Sequence, residues 1–251
     1  MNQKKIWLGM LVMALAFGMT VVGCDDSSTG GGDGVTSAYL GDTLDLSGQV
    51  YLERWNDDYT NVNYQNFTGN LTIPEYVSWY DYDDDDNKEE IRINIGGSGE
   101  IRNGRLSYSI GTPNELDTFD EWDYIFYKGP LEDVKVSDAN VKGFVLEGLD
   151  VDSDDYSGLM KEKKTVSSGT YEFVNYVYVE SDVTVSGKSY KWAGGQGTRT
   201  FKKCVFKKGW NAVYQQNGET KNTVTISTSM GNPSSLRWVL YEKHEEEDDD
   251  W

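Results

Sequence analysis

The sequence predicts an all-β protein, an antiparallel β-sandwich built as one large body or two adjoining lobes behind an export signal and a flexible tether. Three observations predict it. Only four alanines (Ala38, Ala139, Ala193, Ala212) follow residue 23, against 24 glycines, so the chain is poor in helix formers and rich in turn formers. Short runs of β-branched and aromatic residues recur, each bounded by glycine, asparagine or aspartate. One of these boundaries is Asn103-Gly104 inside E-I-R-N-G-R-L-S, and such a pair suits a type I′ hairpin turn, whose two central residues both need positive φ.

The N-terminal 24 residues carry the three zones of a secretory signal: basic Lys4 and Lys5, an apolar run over 6–22, and small Gly23 before Cys24. Lysines stay on the cytoplasmic side, the apolar run enters the bilayer, and a small residue admits a peptidase to the backbone. As a helix this run spans roughly 26 Å, short of a hydrocarbon core of about 30 Å, which disfavours a permanent transmembrane helix. Val21-Val22-Gly23-Cys24 resembles the lipobox of bacterial lipoproteins, which implies cleavage before Cys24 and lipid on its sulfur. More than one acyl chain makes a stable anchor. With Cys24 lipidated, Cys204 has no disulfide partner. Its alternating neighbours Val205 and Phe206 point to a buried, inert thiol.

Residues 25–37, D-D-S-S-T-G-G-G-D-G-V-T-S, are too polar and glycine-rich to bury a core and act as the tether. Strands are then expected over 44–53, 66–73, 91–95, 99–110, 141–146, 170–179, 183–190, 198–206, 210–214, 223–228 and 236–241. In the last of these Leu236, Trp238 and Leu240 share one face, as in a half-buried strand. Charge divides the chain. Residues 25–160 hold 30 acids and 8 bases, residues 161–243 hold 6 acids and 13 bases, and the tail from His244 adds six acids. The expected organisation is therefore a signal peptide (1–23), the lipidated cysteine and tether (24–37), an acidic β-rich half (38–150), a candidate linker (151–164), a basic β-rich half (165–243) and an acidic tail (244–251). The motif S-x-G-x-P-x-x-L occurs at 109–116 and again at 229–236, as two related halves or two similar turns would give. A net charge of −19 argues against a nucleic-acid partner, because phosphate recognition relies on lysine and arginine.

Asp150, Asp152 and Asp154 have the alternating spacing of oxygen-rich calcium loops. The run departs from the helix-flanked loop at its sixth position, Asp155 in place of glycine, and at its twelfth, Lys161 in place of glutamate. It reads as a calcium site or as a solvated acidic linker; no other cofactor is suggested. The denser run over 81–86 reads as a hydrated loop tip between strands. Trp79, Tyr80 and Tyr82, with Tyr76, stand in one loop-like segment, and Trp122 and Tyr124 in another. Rings beside carboxylates suit a sugar-binding surface, and equally the core or cross-strand pairs of a sandwich. His244, the only histidine, lies in the acidic tail, so serine and cysteine triads lack their usual base. Two carboxylates alone can hydrolyse a glycoside, but no motif selects a pair.

The signal region, N-G-R-L-S-Y-S-I-G-T-P (103–113), Y-V-E-S-D-V-T-V-S-G (178–187), F-K-K-G-W-N-A-V (206–213) and N-P-S-S-L-R-W-V-L (232–240) together resemble a group of spirochaetal (treponemal) envelope lipoproteins. The resemblance implies an envelope setting, with the outer membrane favoured over the inner, and brings no functional residues. The expectation is a lipid-anchored, non-catalytic β ectodomain that is adhesive, ligand-binding or structural at the cell surface, with a glycan or protein ligand. The alternative is a carbohydrate-active enzyme or sugar-binding module.

Overall fold

A computed structural model describes residues 38–55, 62–82, 88–118, 133–165, 169–189, 198–217, 223–228 and 235–243. Cys24, Trp122, Tyr124 and His244 lie outside them, as do the signal segment and the tether. Residues 35–251 form one compact unit. All regular structure among the described residues is strand.

In chain order the strands are β1 (Tyr39–Gly41), β2 (Leu44–Trp55), β3 (Val62–Asn66), β4 (Leu71–Ile73), β5 (Tyr76–Tyr82), β6 (Lys88–Asn94), β7 (Ser98–Arg102), β8 (Arg105–Ile110), β9 (Asp117–Thr118), β10 (Asp133–Val136), β11 (Lys142–Leu146), β12 (Leu149–Asp150), β13 (Tyr156–Thr165), β14 (Thr170–Val179), β15 (Val183–Ser189), β16 (Thr198–Phe206), β17 (Gly209–Asn217), β18 (Thr223–Ser227) and β19 (Arg237–Glu242). The expected strands 170–179 and 198–206 coincide with β14 and β16. The expected strand 66–73 is instead two strands, β3 and β4, separated at 67–70. There Phe67 N bonds to Val50 O and Gly104 N to Gly69 O, so the backbone serves two neighbours instead of continuing one ladder.

The architecture is a β-sandwich of one large mixed sheet and a separate β5–β6 ribbon, and it is not a closed barrel. Most pairings are antiparallel, but β2 lies parallel to β19 and β16 parallel to β18. β2 belongs to both layers. Its first half, Leu44 to Gln49, pairs with β8, and its second half pairs with β19 and β3. It turns the corner at Gly48 (φ +148°), where a Cβ would press within 3.1 Å of the Trp238 ring. Trp238 Nε1 donates to Ser47 O at 3.2 Å across the same corner. A strand that changes layer at a bend is how such sandwiches turn.

The larger core fills the space between the layers. β8 alternates exposed and buried positions and sends Leu106, Tyr108 and Ile110 inward, against Tyr176, Tyr178, Trp210, Trp238 and Leu240 from the facing strands. β14 is buried on both faces. Val174, Tyr176 and Tyr178 enter that core, whereas Val177 and Val179 enter a second one with Val183, Val185, Phe201, Cys204 and Phe206, where β15, β16 and β18 curl back. Leu236, just before β19, and Trp238 and Leu240 within it point inward as expected, yet Val239 is equally buried. Arg237 and Tyr241 on the Val239 face are only partly buried and Glu242 is exposed, so the strand, flanked by β13 and β2, is enclosed on one face and partly covered on the other.

Asn103 (φ 49°) and Gly104 (φ 71°) form the expected hairpin turn between β7 and β8, and Asn103 N donates to Asn70 Oδ1 at 2.7 Å. The candidate linker 151–164 carries most of β13, a strand paired with β12, β14 and β19.

Candidate functional site

The stretch Lys161-Glu162-Lys163-Lys164 lies within β13, where successive side chains take opposite faces. Lys161 and Lys163 serve one face. Lys161 Nζ sits 5.6 Å above the Trp238 ring, and burial pulls its pKa below the ordinary lysine value. Lys163 Nζ reaches Glu172 at 3.7 Å, and Glu172 accepts the Tyr214 hydroxyl.

Glu162 and Lys164 serve the other face, and there the sheet assembles a cluster from five strands. The Glu162 carboxylate is wholly buried. Its Oε2 accepts the Tyr171 hydroxyl from β14, and the Tyr241 hydroxyl from β19 bonds the same carboxylate. Lys164 Nζ lies 2.8 Å from Glu53 Oε1 on β2 and 3.5 Å from Glu162 Oε1. The ammonium also stands 5.6 Å from the Tyr171 ring centre and 5.2 Å from that of Tyr241. Lys164 N donates to the Tyr64 hydroxyl of β3 at 3.0 Å. Arg237, opposite Glu162 in the register, lays its guanidinium over Tyr64 at 4.9 Å and Tyr51 at 5.6 Å.

The electrostatics follow from burial. Loss of water raises the Glu162 carboxyl above the ordinary glutamate value, against the Tyr171 and Tyr241 hydrogen bonds and the Lys164 charge, and the Glu53 charge adds to the rise. Burial also raises the Tyr171, Tyr241 and Tyr64 hydroxyls, so they stay protonated at any ordinary pH. Burial works against the Lys164 ammonium, but its hydrogen bond to Glu53 and the charges of Glu162 and Glu53 win and hold its pKa above the usual value. This arrangement can bind strands together. A carboxylate without exposed surface does not touch a substrate in this conformation.

The residues singled out by sequence go elsewhere. Asp150 ends β12 and accepts the Ser78 hydroxyl at 2.7 Å; Asp152 forms a bridge with Thr72; Asp154 is exposed. The chain bends at Asp154 and Asp155, where Asp155 N donates to Ser153 Oγ at 3.1 Å, and no group of three acids, histidines or cysteines placed to hold a metal occurs among the described residues. Trp79, Tyr80 and Tyr82 fall in β5, opposite Ile91, Glu90 and Lys88 of β6, so the segment read as a loop is a strand. The acidic run over 81–86 extends from the end of β5 into 83–87, which lies outside the described residues.

The phrase K-K-G-W-N is explained by a turn. Asn211 Nδ2 donates to Lys207 O (2.7 Å) and Gly209 O (2.9 Å), while Lys207 N donates to Asn211 Oδ1 at 2.9 Å. Asp182 completes it, accepting Lys207 Nζ at 2.8 Å and Lys208 N at 2.9 Å.

Glu53, Glu162, Lys164, Tyr171 and Tyr241 escaped the sequence reading. Their one local signal is the strict alternation of Glu162 and Lys164 with Lys161 and Lys163 directly after Leu159. Compared with protein-family models, with curated proteins and with solved structures, the chain matches none.

Proposed function

We propose that the protein is a lipid-anchored envelope lipoprotein whose β body acts by binding or by structural contact and not by turnover. The observation that carries this reading is the order Lys4-Lys5, apolar run, Val21-Val22-Gly23-Cys24, with a polar tether between that cysteine and the first strand. The compact β unit after the tether supports it, since a hydrophilic body on a lipidated leash needs no second membrane-crossing segment. The non-catalytic part rests on the single histidine standing in the acidic tail and on the enclosure of the Glu162 cluster. The partner is a glycan or a protein, and nucleic acid is disfavoured by the charge.

Metabolic labelling with a fatty-acid analogue tests the anchor. Label on the native chain and none on a Cys24→Ala chain is expected; label that survives the substitution overturns it. Presenting the full chain to glycan and matrix-protein arrays, with and without calcium, tests the binding role. Turnover of an oligosaccharide on that array would overturn the non-catalytic reading.

A further inference from the structure

We propose that the end of the β body at β1 is a lipid-contacting surface, where Tyr39 and Leu40, beside Lys207 and Lys208, rest on the bilayer that holds the anchor. The contact presupposes the anchor at Cys24 and adds to it an orientation of the body on the membrane.

Among the described residues Tyr39 and Leu40 are the large apolar side chains that stand exposed, at 43% and 39%. Both belong to β1, which is held to β17 by the pairs Tyr39 with Asn211 and Gly41 with Trp210, and by Ala212 N donating to Ala38 O at 3.0 Å. Two residues of β1 thus advance against one of β17, and Leu40 is the extra one, turned out of the ladder by the bulge. A Cβ at Gly209 would lie 3.0 Å from Tyr39 Cε2 and 3.2 Å from Asp42 Oδ1, so the Tyr39 ring packs on the turn that carries Lys207 and Lys208. Lys207 Nζ is taken by Asp182 at 2.8 Å, whereas Lys208 is exposed and its ammonium has no ion pair among the described residues.

A lone exposed leucine or tyrosine is ordinary on a protein surface. Here two are adjacent, and they stand where the chain enters the body, with 13 residues between Cys24 and Ala38. A coil of that length and glycine content spans about 20 Å root-mean-square, so β1 is the part of the body kept nearest the lipid. The chemistry suits a bilayer surface. Tyrosine settles at the headgroup level with its ring in and its hydroxyl wet, and the Tyr39 hydroxyl keeps a polar partner in Asp42 at 3.3 Å. Lysine stems lie along apolar surface while the ammonium reaches headgroup phosphates. The charged groups against β1 are Asp42, Asp182, Lys207 and Lys208, two of each sign, so the contact needs no anionic lipid. Such a small contact would be feeble for a free protein, but a lipid anchor makes each encounter intramolecular.

The test uses the full acylated chain in phosphatidylcholine vesicles, with a nitroxide on Thr43→Cys beside β1 or on Thr223→Cys at the other end of the sheet. The exposed Thr223 lies about 27 Å farther along β17 and β18, at about 3.4 Å per residue. Acylated Cys24 and enclosed Cys204 take no label. Collisions of the Thr43 label with a water-soluble nickel complex are expected to fall at least about twofold on vesicles, with a gain in collisions with membrane-dissolved oxygen. The Thr223 label should not change. Tyr39→Ser with Leu40→Ser, both at exposed positions, should return the Thr43 label to its value in water. Flotation of the vesicles separates the two readings. A chain that does not float overturns the anchor and the contact together. A chain that floats with its Thr43 label as wet as the Thr223 label, or that keeps the protection after the double substitution, overturns the contact alone.

Discussion

Trp210 Nε1 donates to the Gly111 carbonyl at 2.8 Å, tying β17 to the chain leaving β8. The indole is completely buried, with Phe144 and Tyr178 edge-on to it at 6.5 and 5.6 Å between ring centres. Trp210→Phe loses the hydrogen bond, orphans a carbonyl and leaves a small void. The expected loss is about 2–3 kcal/mol, and about 3–5 kcal/mol for Trp210→Ala, measured by urea denaturation of the full chain.

Tyr108 is an opposite case. It is buried on β8, burial raises its pKa, and its hydroxyl has no hydrogen-bond partner among the described residues. Removing an unsatisfied buried hydroxyl relieves its desolvation, so Tyr108→Phe is expected to be neutral or stabilising by up to about 1 kcal/mol. A Cβ at Gly97 would collide with that same hydroxyl. Gly97→Ala should therefore destabilise, and less so in the Tyr108→Phe background; thermal melts of the four chains give the coupling.

The hairpin turn offers a sharper test. Gly104 combines a left-handed backbone with close approach to the Phe67 carbonyl, which a Cβ would strike. Gly104→Ala is expected to cost at least about 2 kcal/mol, more than the roughly 1–2 kcal/mol of left-handed strain alone, because the obstacle is backbone and cannot swing aside. The difference between the melting curves of Gly104→Ala and Asn103→Ala separates the two contributions.

Cys204 has no exposed surface, lies 3.6 Å from the Ile226 carbonyl, and burial pushes its thiol up to about 12. A thiol without thiolate or access does not react. In a Cys24→Ala chain, a maleimide reagent should leave Cys204 unmodified for as long as the protein stays folded, and modify it promptly in denaturant. Rapid native modification would contradict the enclosed second core.

Much of the fold was legible because period-two alternation and turn chemistry are local. β14, β16 and the Asn103-Gly104 turn are set by neighbours in sequence. β13 was not legible, since Lys161-Glu162-Lys163-Lys164 after an acidic run reads as a solvated connection. What makes it a strand is non-local: Trp238, Tyr171, Tyr241 and Glu53 cover its charges from both sides. β5 was hidden in the same way, its Asp81 and the following aspartates reading as loop while β6 pairs with it residue for residue. The Glu162 cluster draws its members from residue 53 to residue 241, and only strand register brings them together. The alternating aspartates, by contrast, were fully visible, and they are divided among the end of β12, a bridge to Thr72 and an exposed bend.

The parallel contact of β2 with β19 sets Trp238 beside Val50 and Leu240 beside Leu52, so β2, the first long described strand in chain order, waits for the final described one to gain its parallel neighbour. Pairings that span nearly the whole polypeptide form slowly, because loop-closure entropy must be overcome first. A nascent chain of this topology leaves β2 without its parallel partner until the last described strand emerges. Because β1, paired with β17, precedes β2, force applied at the N-terminal end of the described body meets that short pairing before it reaches the parallel seam.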